Sequence, residues 1–487
     1  MINKGIISYV IGSLLMLLGA MMLSVLPFSI YYDDGAAVEI LGAALITIAI
    51  GSLGLFFRKH KNDNIGKREG YLIVALAWVS VGIFSSVPYI VCGIFPNLTD
   101  AFFESVSGLT TTGATVLTDI EIVPEGVLFW RSLTQWIGGM GIIVLTVAIF
   151  PLLGIGGVEL FVAESPGPKS SKIHPRIKET AKRLWLIYVG LTLLLSIVLV
   201  ICGMGWFDAF NHALTAMATG GFSTKNASIA AFANPAVEYV LTLFMFVGGV
   251  NYTLIYFGIR GRFSKVWESS EFKTYFLVML TTIIVVTTSI MIFTDYRLEH
   301  AFRAAAFQVV SVITTTGFIT EDYTSWTSFL TLIFFVLLFI GGCGGSTSGG
   351  IKMIRHLVFF KNSTLEFKQL MHPNALVRVK VDNQLVHRST LTHIISFVLI
   401  YLVLFVIGSV IMAGILYEFS EPFESAVGAV ATSLGNVGPA IGNLGPVDNF
   451  SIVPTTGKWV LLVLMLLGRL ELFTILILFT PYFWRSN

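Results

Sequence analysis

Residues 107–117 read SGLTTTGATVL, three consecutive threonines and a glycine set in a chain that is otherwise oily. Nearly the same string, TTTGFIT, returns at residues 314–320. A polar string that recurs in an apolar chain points to an internal repeat, and repeats decide architecture before local assignments do.

Four longer stretches align around these strings. They are DAFFESVSGLTTTGAT (100–115), DAFNHALTAMATGGFST (208–224), EHAFRAAAFQVVSVITTTGFIT (299–320) and EPFESAVGAVATSLGNVGPAIG (421–442). Each opens on an acidic residue, runs through a short helical pattern and closes on a Gly-containing string. The unit is roughly 100 residues long: span, short helix, string, span.

Composition supplies the surroundings. Of 487 residues, 55% are hydrophobic and only 12% charged, against about 25% charged in soluble domains. Runs such as YVIGSLLMLLGAMMLSVLPF (9–28) and VLLVLMLLGRLELFTILILF (460–479) match the ~20 residues that cross ~30 Å of hydrocarbon. The first run lacks a small-residue cleavage site and is expected to be a retained span. Cys92, Cys202 and Cys343 lie in apolar or Gly-rich context and suggest neither a disulfide framework nor a metal site.

Lys and Arg concentrate at 58–69, 169–183, 260–265 and 352–388, while the loops near 31–35, 96–126 and 417–457 hold none. The basic loops, and with them both termini, are therefore expected on the cytoplasmic side. Trp130, Trp206, Trp326 and Trp459 fall near the opposite ends of spans, where either an aromatic belt or ordinary packing explains them.

Each short helix, at 1.5 Å per residue, covers only ~18 Å. It cannot span and must enter the membrane and return. Non-helical backbone survives at that depth only when buried in protein or lining a water-filled cavity. Asp100, Asp208, Glu299 and Glu421 mark the outer, N-terminal helix ends, where a carboxylate complements the helix dipole. The C-terminal ends then point inward and favour a cation on a shared axis. Backbone carbonyls of the strings can replace that cation's hydration shell, glycine permits the dihedrals required, and threonines stiffen the backbone.

The string GGCGGSTSGG (341–350) interrupts the second span of the third repeat. Glycines at that density do not make a stable helix, each costing about 1 kcal/mol relative to Ala. A phosphate-binding loop is excluded by spacing, since Gly350 is followed by Ile-Lys and not by Lys-Ser/Thr. Arg469 sits mid-span with Glu471 two residues on; such a charge marks function by default, and residues two apart do not share a helix face. Each is expected to look elsewhere. His212 is expected to be packed. Glu104 and Glu424 are read as occupying similar places in repeats one and four, tuning cation attraction or bonding the strand behind the string.

These repeats, each with a glycine in its string, resemble the Trk/Ktr/HKT superfamily of potassium transporters, and the two extra N-terminal spans resemble its bacterial TrkH branch. The resemblance covers essentially the whole chain. It implies an all-α integral membrane protein with four span–pore helix–span repeats around one central pore, plus two extra N-terminal spans: about ten spans and four re-entrant pore helices. The expected boundaries are 1–69 for the two-span hairpin and 70–166, 167–272, 273–385 and 386–487 for the repeats. It also implies K+ uptake across the bacterial inner membrane, with K+ both transported and bound in the filter and no organic cofactor. A homodimer and a TrkA-like cytosolic nucleotide-binding regulatory subunit are the implied partners, with no nucleic acid.

Filter positions carry over as Thr111, Thr112 and Gly113; Thr219 with Gly220 and Gly221, between which the dipeptide patterns do not choose; Thr315, Thr316 and Gly317; and Gly435, Asn436, Val437 and Gly438. The resemblance makes Gly344, Gly345, Ser346, Thr347, Ser348, Gly349 and Gly350 an intramembrane gating loop, with Arg469 beside it on the pore wall. No potassium-channel TVGYG occurs, and the fourth string offers no threonine, which weakens expected discrimination against Na+. A Na+- or H+-coupled secondary transporter is the alternative, although such repeats are commonly inverted. An intramembrane enzyme lacks a convincing nucleophile and base, so no enzymatic activity is expected.

Overall fold

A computed structural model describes residues 2–56, 67–152, 177–375, 378–382 and 384–485. The basic stretches around 58–66 and 169–176, and the expected boundary at 166/167, lie outside the described residues. The regular structure is almost entirely helical. Among the described residues, a two-stranded hairpin pairs Lys380–Val381 with Gln384–Leu385, and an isolated bridge joins Ile340 to Ile351.

Among the described residues, six helical segments are long and apolar enough to cross a bilayer: Lys4–Tyr32, Ala37–Leu55, Arg68–Val91, Ala181–Ile201, Ser270–Phe293 and Arg388–Ile415. Their outward residues are apolar too, as with Leu193, Leu194 and Ile197, or Leu399, Leu402 and Val406. A helix that is hydrophobic all round faces lipid on one side and protein on the other. In the N-terminal hairpin, Lys4–Leu23 lies against Ala37–Leu55 through Gly12, Gly51 and Gly54; a β-carbon on Gly12 would come within 2.5 Å of the Gly51 carbonyl oxygen. Small residues at such a seam let two backbones meet closely.

The remaining apolar segments are broken. Pro235–Gly248 meets Tyr252–Ile259 at 110°, and Thr455–Arg469 meets Phe473–Phe479 at 106°. Glu125–Leu152 kinks at Gly141, whose φ is 58°. Ser328–Leu337 stops before the Gly-rich loop and helix Met353–Met371 resumes after it. Among the described residues the straight spans therefore fall short of ten, because these four further apolar segments are interrupted.

Four short helices, Leu98–Leu109, Trp206–Met217, Leu298–Ile313 and Pro422–Gly435, sit inside this shell. Their last turns are buried throughout. Asp100, Asp208 and Glu299 lie in first turns and Glu421 is an N-cap. Ion pairs tie the short helices to the surrounding helices: Lys458 Nζ, from Thr455–Arg469, to Asp100 at 2.7 Å and Arg303 Nη1 to Glu238, from Pro235–Gly248, at 2.5 Å. The tryptophans divide. Trp206 and Trp459 are exposed as a belt requires, whereas Trp130 is fully buried and donates to the Ser85 carbonyl at 3.0 Å, and Trp326 is buried. For Trp130 and Trp326 packing, not the interface, explains the residue.

Candidate functional site: a ring of four segments and the loop beneath it

Each short helix ends in the same way. Thr111 N–H donates to Gly108 O at 2.9 Å and Thr112 N–H to Ser107 O at 2.9 Å. The pattern recurs at Thr219 and Gly220, at Thr315 and Thr316, and at Asn436 and Val437. This is the Schellman closure, which satisfies the last helical carbonyls and places one residue in the left-handed region. Those residues are Thr111, Thr219, Thr315 and Asn436, with φ of 52°, 54°, 55° and 53°. Three β-branched residues at positive φ are strained by ~1–3 kcal/mol each and persist only where surroundings over-determine them.

The closures set a common register for segments 110–113, 218–221, 314–317 and 435–438. Two residues after the left-handed position stands a glycine at positive φ: Gly113 at 81°, Gly221 at 75°, Gly317 at 83° and Gly438 at 108°. Gly221, not Gly220, is therefore the counterpart of Gly317; Gly220 stands where Thr112, Thr316 and Val437 stand. The four glycines close a ring. A β-carbon on Gly113 would overlap the Gly220 carbonyl oxygen, one on Gly221 that of Thr316, one on Gly317 that of Val437, and one on Gly438 that of Thr112, none farther than 2.7 Å. Each segment thus lies against the next in chain order, and the fourth returns to the first.

Hydroxyls brace the ring. Thr110 and Thr112 Oγ1 are 2.7 Å apart, as are those of Thr314 and Thr316. Asn436 Nδ2 donates to Thr112 Oγ1 and to Met465 O, both at 3.0 Å. Among the described residues, Thr111 Oγ1 and Asn436 Oδ1 are buried without a hydrogen-bond partner. Four helix C-termini, each carrying partial negative charge, converge on this ring.

The Gly-rich loop touches the left-handed residues directly. Thr219 Oγ1 donates to Thr347 Oγ1 at 3.2 Å, and Gly349 N–H to Thr315 Oγ1 at 2.6 Å. Thr347 Oγ1 also donates to Met217 O at 3.1 Å. A β-carbon on Gly349 would come within 2.5 Å of the Gly435 carbonyl oxygen, which explains why glycine stands there. Arg469 donates to Thr347 O at 3.0 Å, to Gly139 O at 3.2 Å and to Gly138 O. Its place is telling: the breaks in the second spans lie at or beside Gly138–Gly139, Gly248–Gly249, Gly341–Gly342 and Gly468–Arg469, so Arg469 replaces a glycine present in the other three. Glu471 looks away and pairs with Arg355, whose guanidinium stacks 3.7 Å from the Phe397 ring centroid.

Some placements differ from expectation. Glu104 is deep in its helix, accepting from Thr115 Oγ1 at 2.9 Å and from Val116 N–H at 2.9 Å, behind the first segment. Glu424 lies in the first turn of its helix, so the two are not equivalent; Ala429 holds the place of Glu104 in the common register. His212 is packed, with Nε2 2.8 Å from Ser223 Oγ.

Sequence reasoning missed several polar residues. Arg131 is buried, pairs with Glu104 at 2.6 Å and donates to Ser223 O at 2.9 Å; an arginine in the apolar run 127–137 was its signal. Glu271 Oε1 accepts from Gly344 N–H at 2.6 Å and Ile354 N–H at 3.1 Å, pinning both ends of the loop. Asn251 Nδ2 holds Gly344 O at 2.6 Å. Glu271 sits in the first turn of Ser270–Phe293 and Asn251 caps the helix after the 110° break; polar residues are common at helix starts, and no local pattern marks these two.

Comparison with known proteins agrees with this architecture. The TrkH family model, described as cation transport protein, matches residues 37–486. The Trk system potassium uptake protein TrkH of Salmonella typhimurium is 41% identical over 99% of both chains. The Trk system potassium uptake protein TrkG of Escherichia coli is 34% identical, again over 99% of both. The crystal structure of the potassium transporter TrkH from Vibrio parahaemolyticus superposes with a TM-score of 0.88 at 37% identity, covering 98% of this chain and 99% of that one. The chain belongs to the TrkH family of cation transport proteins, which are membrane transporters and not enzymes.

Proposed function

We propose that this chain takes up K+ through the ring of segments 110–113, 218–221, 314–317 and 435–438, and that the Gly-rich loop held by Arg469 closes the path below it. The closed ring of glycines against carbonyl oxygens carries this reading. Neutral oxygens and helix C-termini suit a monovalent cation, which such donors can dehydrate. In this reading the short helices are pore helices and the repeats begin near residues 70, 167, 273 and 386. A guanidinium on the path raises the barrier to a cation, so loop and arginine act as one obstacle. The names of its relatives support K+ as substrate and a Trk system as the setting. The same reading places the chain in a bacterial inner membrane with cytoplasmic termini, as a homodimer under a cytosolic nucleotide-binding subunit. Flux in liposomes against imposed voltage tests it. K+ flux that follows the K+ electrochemical gradient alone is expected; uptake that requires a Na+ or H+ gradient would replace the channel by a coupled carrier.

A further inference from the structure

The four segments are braced unequally. Hydroxyl pairs lock the first and third, and Asn436 together with Thr432, which accepts from Gly438 N–H at 2.8 Å, holds the fourth. The second segment, Ala218-Thr219-Gly220-Gly221, has neither hydroxyl at the corresponding positions. Two adjacent glycines make it the segment with the most backbone freedom.

A side chain from another repeat occupies the gap. Gln135 Nε2 donates to Gly220 O at 2.5 Å, and Gln135 Oε1 accepts from Phe222 N–H at 3.0 Å. The carboxamide thus grips the segment on both sides of Gly221. It also fills the space of the missing side chain: a β-carbon on Gly220 would lie 2.5 Å from Gln135 Cδ and 2.8 Å from Nε2. Gly220 is not among the residues at positive φ, so this space, and not backbone strain, excludes a side chain there. One turn earlier on the same helix face, Arg131 reaches Ser223 O. Relative to the glycine pairs that break each second span, the places of Gln135 and Arg131 are held by Met245 and Leu241, Leu338 and Phe334, and Met465 and Leu461. The polar pair exists only in the repeat that faces the unbraced segment.

We propose that Gln135 is a positioning residue for ion selection, a splint that holds the second segment in register with the other three. The proposal rests on the reading of the ring as the selective passage. Selection between ions of similar charge depends on where carbonyl oxygens are held, so a segment free to relax accommodates the wrong ion.

The test is the K+/Na+ flux ratio of purified protein in liposomes. Gln135→Met, the residue found at the same place in two other repeats, should lower the ratio by roughly threefold to tenfold, the factor for losing a buried hydrogen bond. Gly220→Ser alone should lower it as well, because its side chain meets the carboxamide. Combined as Gln135→Ala with Gly220→Ser, the space is refilled and the ratio should exceed that of Gln135→Ala alone. A residue serving only stability would not give that reciprocal recovery. Should Gln135→Met not fold, Gln135→Asn, one methylene shorter, reads the same ratio by the same rule. An unchanged ratio in these variants, while Gly113→Ser loses selectivity, overturns the splint and leaves the ring reading intact. An unchanged ratio in Gly113→Ser as well overturns both.

Discussion

Arg469 and Thr347, which stand 122 residues apart, are joined at 3.0 Å by the guanidinium of one and the carbonyl of the other. Thr347 in turn gives its hydroxyl to Met217 O, at the end of the second short helix. The same guanidinium holds Gly138 O and Gly139 O, beside the kink at Gly141. One side chain at the end of helix Thr455–Arg469 therefore fastens the Gly-rich loop to the broken helix Glu125–Leu152.

Arg469→Ala releases that fastening and removes a positive charge. Basal cation flux without a regulatory partner should rise by about tenfold to a hundredfold, the factor for charge-assisted hydrogen bonds worth ~1.5–3 kcal/mol. Deleting 344–350 should act in the same direction by removing the steric obstacle. Two folded variants that conduct no better than the parent would move the gate elsewhere.

Gly113→Ser and Gly221→Ser each force a side chain onto a residue at positive φ and against a neighbouring carbonyl. Both should reduce the K+/Na+ flux ratio while protein yield holds, since the ring is displaced locally. Equal ratios in parent and variants would sink the ring as the selective element.

Glu271→Ala leaves the Gly344 and Ile354 N–H groups without their acceptor. Amide hydrogen exchange across 341–354 should accelerate, because local opening no longer breaks those bonds. Basal flux should rise with it. Exchange that stays at the parental rate would show that Asn251 and the backbone suffice to hold the loop.

Arg131→Met strands the buried Glu104 carboxylate and should cost about 3–5 kcal/mol of stability, whereas the double change with Glu104→Gln should recover much of it. Thermal unfolding in detergent reads both. A single variant as stable as the parent would show that the pair is not the anchor its burial suggests.

Lys178, Lys182 and Arg183 begin helix Ile177–Ile201 on the expected cytoplasmic side. Arg183 already donates to Tyr256 Oη at 2.9 Å, so part of its charge is engaged within the chain. Neutralising all three should weaken retention of a cytosolic nucleotide-binding partner, most visibly at low salt. A pull-down with undiminished retention at low ionic strength would remove them from that interface.

Legibility followed the range of the interaction. The short helices with their acidic first turns were readable because helix pattern and dipole complement are local. The isolation of Arg469 from Glu471 was readable because helical spacing forbids their meeting. The choice between Gly220 and Gly221 was not, since Thr-Gly and Gly-Phe patterns point to different residues and only the backbone φ separates them. Glu104 and Glu424 looked alike as acids near a helix start, yet one lies deep in its helix and the other in the first turn. Trp130 looked interfacial by position, and its indole proved to be buried against Ser85 O.

By itself the sequence determined a helical membrane protein with a recurring unit, because long apolar runs admit no other backbone in lipid and a repeated string is visible wherever it stands. Only the tertiary structure decided which glycines close the ring, which carbonyls Arg469 holds and what pins the loop. Those are contacts between segments as much as 331 residues apart, such as Arg469 with Gly138. Many of the groups involved are backbone carbonyls and N–H groups, which every residue carries and no sequence pattern distinguishes.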